Sequence, residues 1–181
     1  MRPFSIAILM LFLSACANVQ VSQDYDPLAD FSQYGSWRWR EADQPPVGDP
    51  RIDNPLLDRR IRTAVENHLE SRNITLAGGQ PEIVLSYRLD VERKIESDTA
   101  HATMGFGRYD YPWYGGIGTE TRIRQYDESR LTIDIQEADT GKLLWRGVGT
   151  YRFRTYKTPQ DAAAAMQEIV DKILNQFPPA K

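Results

Sequence analysis

Hydrophobic and polar residues alternate along several segments of the chain, and a period of two predicts β-strands with one buried face. The longest alternation covers residues 83–92, a second covers residues 130–136, and a third covers residues 143–153. The last two are joined at residues 139–142, where Gly141 can adopt the left-handed conformation of a hairpin turn. Shorter alternations predict strands over residues 18–25 and 36–40.

Two other segments repeat their apolar residues at three- and four-residue spacing, which predicts amphipathic helices. The first begins at Asn54-Pro55, a cap followed by a first-turn proline, and ends near Arg72. The second begins at Thr158-Pro159 with Asp161 in its first turn, and Pro178-Pro179 stops it. The apolar faces consist of Leu57, Ile61, Ala64, Val65, His68 and Leu69 in the first helix, and of Ala162, Ala165, Met166, Ile169, Val170, Ile173 and Phe177 in the second.

The order of predicted elements is strand, strand, helix, three strands, helix. This order is too poor in strand–helix–strand units for a doubly wound parallel sheet. We predict an α+β fold, a two-layer domain in which a mostly antiparallel sheet of about five strands carries two helices on one face. The prediction places a single domain at residues 19–177 and a tail at residues 178–181.

The first residues have the layout of an export signal. A positive start, Met1-Arg2, precedes a short apolar run over residues 4–12, and Leu13-Ser14-Ala15-Cys16 follows. The run is much shorter than the ~20 residues of a membrane-spanning helix. We therefore predict a signal peptide over residues 1–15; the alternative is a buried helix with an incidental cysteine.

Residues 13–16 resemble the lipobox of bacterial lipoproteins. The resemblance implies that Cys16 carries acyl chains such as palmitate, which anchor the protein to a membrane. Ala17, which follows the cysteine, resembles the residue pattern of lipoproteins that are sorted to the outer membrane. In a double-membraned host the domain would therefore face the periplasm. With a tether of residues 16–18 and at most ~3.6 Å per residue, the domain would stay within about 10 Å of the bilayer.

Short motifs in a fixed order extend the resemblance over residues 16–177. They are Asp24-Tyr25-Asp26-Pro27, Asp30-Phe31-Ser32, Tyr34, Trp37, Trp39, Asn54-Pro55-Leu56, Leu85-Ser86-Tyr87, Leu131-Thr132-Ile133-Asp134-Ile135 and Leu144-Trp145-Arg146-Gly147. Through them the chain resembles the bacterial envelope lipoprotein family catalogued as domain of unknown function 4136. The resemblance implies a location in the cell envelope and a fold, but it implies no activity and no catalytic residue.

Composition narrows the function classes. A formal charge of −3 argues against a general nucleic-acid binder, and a single cysteine excludes an internal disulfide. We predict no metal, no cofactor and no enzymatic activity, because no metal-ligand cluster or nucleophile motif is present. His68 is predicted to be a partly buried helix residue. A remoter hypothesis is a hydrolase that pairs Glu92 with Glu96 or Asp134 with Glu137.

Two surfaces are candidates for contact with a ligand or partner. The predicted loop at residues 97–120 carries aromatic residues among glycines, a pattern typical of recognition, although these rings could also fold back on the core. Arginines on the sheet face opposite the helices suit phosphate or carboxylate groups, although cross-strand ion pairs would also explain them. The loop residues are Phe106, Tyr109, Tyr111, Trp113 and Tyr114; the arginines are Arg38, Arg40, Arg88, Arg130, Arg146, Arg152 and Arg154, offset by Asp90, Glu92 and Asp134.

From these features we predict a membrane-anchored interaction or accessory module of the cell envelope. Its partners would be the membrane, through the acyl chains on Cys16, and an unidentified envelope protein at the aromatic loop. The alternative is a module that binds an envelope glycan or an anionic lipid.

Overall fold

The computed structural model describes residues 19–40, 48–100 and 120–179, without the side chains of 97–100 and 120–122. One sheet, with the strand order β1-β6-β5-β4-β2-β3, carries two helices. The elements are β1 (Gln20–Tyr25), β2 (Ser36–Trp39), α1 (Pro55–Ser71), β3 (Thr75–Leu76), β4 (Ile83–Ala100), β5 (Glu120–Glu137), β6 (Leu143–Arg152) and α2 (Pro159–Leu174). None of the helices in the described residues is both long and apolar enough to span a bilayer.

The α+β class is as predicted, but the sheet has six strands and is mixed. Strand β2 runs parallel to both β3 and β4, whereas the other neighbours are antiparallel. The connection from β2 to β4 passes through α1, and such a crossover produces parallel neighbours. Strand β3 escaped prediction because its two residues are too few to show an alternation.

The core lies between the sheet and the two helices. Both predicted helical stripes face the core and are buried except at Leu57, Ala162 and Ala165, which are half-buried, and Leu174 joins them at the end of α2. The alternation over residues 143–153 predicts that Leu143 and Trp145 face the core together. A bulge between β5 and β6 corrects this, since Leu144 is 2% exposed while Leu143 is 39% exposed. Helix α2 ends at Leu174, and Phe177 beyond it packs on Trp145 with ring centroids 5.5 Å apart.

Helix α2 lies close against β6 because two glycines face it. A Cβ atom added at Gly147 would lie 2.6 Å from Cγ2 of Ile173, and one added at Gly149 would lie 2.6 Å from Cδ1 of the same residue. Such distances are well inside van der Waals contact, so the glycines set how closely the helix approaches the sheet.

Strands β4 and β5 extend beyond the rest of the sheet. They pair from Ile83 opposite Glu137 to Ala100 opposite Glu120, whereas β6 ends where Arg152 pairs with Glu128. Residues 93–100 and 120–127 therefore form a two-stranded ribbon, here called the arm, which is roughly 25 Å long at ~3.3 Å per residue. The predicted loop at 97–120 was too long, because Ser97–Ala100 and Glu120 belong to strands. The alternation fades there because both faces of the arm lie outside the core.

Candidate ligand-binding pocket

A pocket of about 360 Å³ opens at the end of the sheet where both helices begin. Its wall combines the first turns of α1 and α2, the end of β6 and the connection over residues 153–158. The volume is at the lower end of the range for small-molecule sites. We call this cavity the pocket.

Buried apolar side chains form the floor of the pocket. Leu89, Met166 and Ile169 are all below 10% exposed, and Leu57 and Ala162 lie half-buried beside them. Phe153 adds an aromatic ring, over which the guanidinium of Arg51 lies 5.5 Å from the ring centroid. The floor can therefore accept an apolar group and remove it from water.

Four basic side chains line the same pocket, and its described lining includes no carboxylate. Arg51 is neutralised by Asp49 and Asp127, each 2.6 Å away. Hydrogen bonds with Arg51 lower the pKa of Asp49 to about 2, so this carboxylate stays charged. Arg60, Arg154 and Lys157 form no ion pair with any described side chain. The pocket therefore has a surplus of positive charge.

The helix ends contribute less than the basic side chains. Oδ1 of Asn54 accepts a hydrogen bond from the Leu56 amide at 2.9 Å, and Oγ1 of Thr158 accepts one from the Asp161 amide at 3.1 Å. Prolines at 55 and 159 have no N–H to donate. Since the first amides are largely satisfied, the attraction for an anion comes chiefly from the side chains.

Two tyrosines add neutral donors to the lining. Burial raises the pKa of Tyr151 and also that of Tyr156, although nearby Arg154 acts in the opposite direction on the latter. Both hydroxyls therefore stay protonated at neutral pH and can donate hydrogen bonds. The combination of apolar floor, cations and hydroxyls suits a ligand with one acidic group on an apolar body.

On the face of the sheet opposite the helices, here called the open face, three of the six predicted arginines other than Arg154 form ion pairs. Arg146 forms two hydrogen bonds to Asp134, at 2.6 and 2.7 Å, and Arg88 lies 3.0 Å from Asp90. Arg152 lies 2.9 Å from Glu96 and stacks over the Tyr126 ring. The contacts of Arg146 and Arg152 fit the interpretation of cross-strand ion pairs, whereas Arg88 and Asp90 lie on the same strand. Arg38, Arg40 and Arg130 form no ion pair with the side chains that the structure describes.

Two details of the predicted arginine surface are wrong. Three further carboxylates add negative charge to the open face. Asp24 lies opposite Arg146 and Glu128 lies opposite Arg152 in the strand pairing. Glu96 and Glu128 also contact basic side chains directly. Arg154 lies past the end of β6 and so is not on the sheet face itself: it lines the pocket and also a second cavity, which includes Glu96 and Arg152 of the open face. The segment turns toward the helices there, so the strand alternation no longer applies.

The predicted carboxylate pairs do not form. Glu92 contacts Lys94 at 2.9 Å and Glu96 contacts Arg152. The hydrogen bond from Lys94 lowers the pKa of Glu92, whereas a catalytic acid needs a raised one. Asp134 binds Arg146, and Oε2 of Glu137 accepts a hydrogen bond from the Thr140 hydroxyl at 2.5 Å. Within the described residues no three side chains are grouped as metal ligands.

His68 is buried between the helices, with Nδ1 2.8 Å from Oδ1 of Asp171. It is 6% exposed and does not line the pocket. The predicted lipidation residue Cys16 and the predicted loop residues Phe106, Tyr109, Tyr111, Trp113 and Tyr114 lie outside the described residues.

Sequence reasoning missed most of the pocket, including Arg60, Lys157 and the tyrosines at 151 and 156. The run Arg154-Thr155-Tyr156-Lys157 before a helix cap is a signal in itself, because it is both basic and aromatic. Nothing in the sequence showed that α1 would bring Arg60 to the same cavity.

Comparison with known proteins identifies a family and a similar fold. A family model described as domain of unknown function (DUF4136) matches residues 21–179. No curated protein sequence matches the chain. A PDZ domain protein from Parabacteroides distasonis is similar in structure, with a TM-score of 0.55 and 14% identity over 91% of this chain. The chain spans only 38% of that protein, and the likeness concerns the fold alone.

Two further structures show weaker similarity. The PelC dodecamer from Paraburkholderia phytofirmans has a TM-score of 0.48 at 14% identity, covering 86% of this chain and 94% of that one. A minor lipoprotein from Acinetobacter baumannii has a TM-score of 0.35 at 13% identity, covering 80% of this chain and 89% of that one.

Proposed function

Since the chain belongs to the DUF4136 family, whose function is unknown, we propose a role from its own geometry: it is a lipid-anchored envelope protein that binds an acidic ligand with an apolar body. The observation that carries the proposal is the pocket, in which a buried apolar floor adjoins three basic side chains that have no ion-pair partner among the described residues. The role is binding and involves no chemical step.

The proposed location rests on the N-terminal sequence. The lipobox resemblance makes Cys16 the anchor, Ala17 after it favours the outer membrane, and the domain then faces the periplasm. Acidic molecules with apolar parts, including lipids and their breakdown products, belong to such a compartment. The anchor would keep the pocket close to this source of ligand.

The two halves of the ligand would contribute differently to the affinity. Each buried methylene contributes about 0.8 kcal/mol, and a hydrogen bond to a charged group contributes roughly 1.5–3 kcal/mol. An alkyl acid should therefore bind about tenfold or more tightly than the alcohol of equal chain length, since 1.4 kcal/mol is a factor of ten. Added salt should weaken the binding of the acid and not that of the alcohol, because salt screens exposed charges.

Calorimetric titration with dodecanoate below its critical micelle concentration and with dodecanol below its solubility limit tests the proposal. We expect the double variant Arg154→Gln, Lys157→Gln to lose most of the preference for the acid while still binding the alcohol. Ala162→Leu should fill the floor and weaken both ligands. Arg38→Gln, on the open face, is the matched control and should change neither. Equal affinity of the wild type for acid and alcohol, or no binding of either, would contradict the proposal.

The arm favours a second candidate function, contact with an envelope protein. The arm ends where Ala100 pairs with Glu120, roughly 25 Å beyond the last pairing of β6 at ~3.3 Å per residue, and residues 101–119 join these two strand ends in the sequence. This segment carries the predicted contact residues Tyr111 and Trp113. If it is the contact, a protein co-purified from solubilised envelope should be lost with Tyr111→Ala and Trp113→Ala, and retained with Arg38→Gln.

A further inference from the structure

We propose that the end of the domain that carries the arm and the pocket lies on the surface of an anionic bilayer. Three features of the described residues meet at this end: the start of β1, two exposed isoleucines of the arm, and the unpaired basic side chains. The inference rests on the proposed lipid anchor at Cys16 and adds the orientation of the domain on the membrane.

The position of β1 fixes which end is close to the anchor. Gln20 pairs with Thr150, near the end of β6, whereas Tyr25 pairs with Trp145 toward the other end. A small cavity of about 250 Å³ is lined by Gln20 together with Glu96 of the arm and Arg154 of the pocket wall. Cys16 precedes Val19 by three residues, which span at most about 11 Å at ~3.6 Å per residue. The acyl chains would therefore hold this end next to the bilayer.

The arm presents apolar side chains that the domain does not cover. Ile95 and Ile123 are each 67% exposed. Ile95 lies opposite Gln125 and Ile123 lies opposite Ser97, so the two isoleucines are diagonal neighbours on one face. A two-stranded ribbon has little stability of its own in water. The boundary between lipid headgroups and acyl chains would bury this face.

The charges at this end suit acidic headgroups. Arg60, Arg154 and Lys157 have no ion-pair partner among the described side chains. The carboxylates of Asp49, Asp127 and Glu96 are bound by Arg51 and Arg152. Asp161, in the first turn of α2, has no ion-pair partner among the described side chains. Positive charge is thus in excess next to the arm, and it would attract an anionic leaflet.

Site-directed spin labelling in reconstituted vesicles tests the orientation. Cys16 is the only cysteine, and on the proposed function its sulfur carries the lipid, so an introduced cysteine would take the label alone. Ile123→Cys places the label on the arm. Leu28→Cys is the matched control, because Leu28 is 91% exposed and follows the end of β1 that is remote from Gln20. The acylated protein is placed in vesicles of phosphatidylcholine with phosphatidylglycerol, and collisions with oxygen and with a nickel chelate are measured.

The label at 123 should collide about threefold more with oxygen, relative to the nickel chelate, than the label at 28. Replacing phosphatidylglycerol with phosphatidylcholine, or introducing Arg154→Gln with Lys157→Gln, should reduce the difference. Equal aqueous behaviour of both labels would overturn the inference, and so would a label at 123 shielded from both reagents, which indicates a protein contact. In either case an acyl mass on Cys16 would leave the proposed function standing, whereas an unmodified thiol would overturn both.

Discussion

At the scale of single residues, the partners of each arginine decide which surface can bind an anion. Arg146 is held by two hydrogen bonds from its guanidinium to Asp134, so an incoming anion would have to displace a carboxylate. Arg154 has no such partner among the described side chains and lies beside an apolar floor. Counting arginines on a strand could not distinguish the two, because pairing depends on neighbours brought together by the fold.

Substitution of Gly147 tests the contact between β6 and α2. We expect Gly147→Ala to lower the free energy of unfolding by about 1–3 kcal/mol, the usual cost of overpacking, because its Cβ would clash with the Trp145 ring and would also lie 2.6 Å from Cγ2 of Ile173 in α2. Urea denaturation measures the change. Gly79→Ala is the matched control, since no described atom lies within 4 Å of its added Cβ. Equal stability of the Gly147 variant and the wild type would show that α2 does not need this close approach.

Glu82 makes a pH-dependent contribution to stability. Its Oε2 accepts hydrogen bonds from the amides of Gly35 and Ser36, at 2.7 and 2.8 Å, and these lower its pKa below the ordinary value of 4.5. A lowered pKa in the folded state gives stability that is complete above pH 4.5 and is lost as the pH falls through the folded value.

The comparison of Glu82→Gln with the wild type isolates this contribution. The variant should be less stable than the wild type at pH 7. The difference in urea midpoint between the two proteins should shrink as the pH falls from 5 to 3. A gap that stays constant across this range would show that the ionised carboxylate is not the stabilising group.

At the scale of secondary structure, local signals predicted both helix starts correctly. Asn54 and Thr158 cap α1 and α2 as their sequences indicate, each followed by a proline. The strands were harder, because alternation requires one buried face. It identified the covered part of β4 and missed the arm, where Arg93 interrupts the apolar series of residues 83, 85, 87, 89 and 91.

Thr158 caps α2 and also lines the pocket. Thr158→Ala should lower the free energy of unfolding by about 1 kcal/mol, because the Asp161 amide loses its acceptor. Thr158→Ser keeps a hydroxyl oxygen and should remain within a few tenths of a kcal/mol of the wild type. Thermal unfolding of the two variants side by side measures the difference, and equal melting temperatures would contradict a role of the cap.

At the scale of the whole molecule, the pocket could not be predicted because its parts are far apart in the chain. Arg60 and Leu57 come from α1, whereas Tyr151 and Met166 lie roughly a hundred residues later. Only the packing of α1 beside α2 on one sheet face brings them together. The same packing places the pocket, the arm and the start of β1 at one end of the sheet. The two ends of the domain therefore present different surfaces.

The most direct test of the account is an NMR titration of the protein with dodecanoate, read from the backbone amides. If the pocket is the anion site, the largest shift changes should fall at residues 151–162 and in the first turn of α1. Dodecanol should move the signals of the pocket floor more than those of Arg154 and Lys157. Changes centred on Arg88, Arg130 and Arg146 would place the anion on the open face and contradict the account.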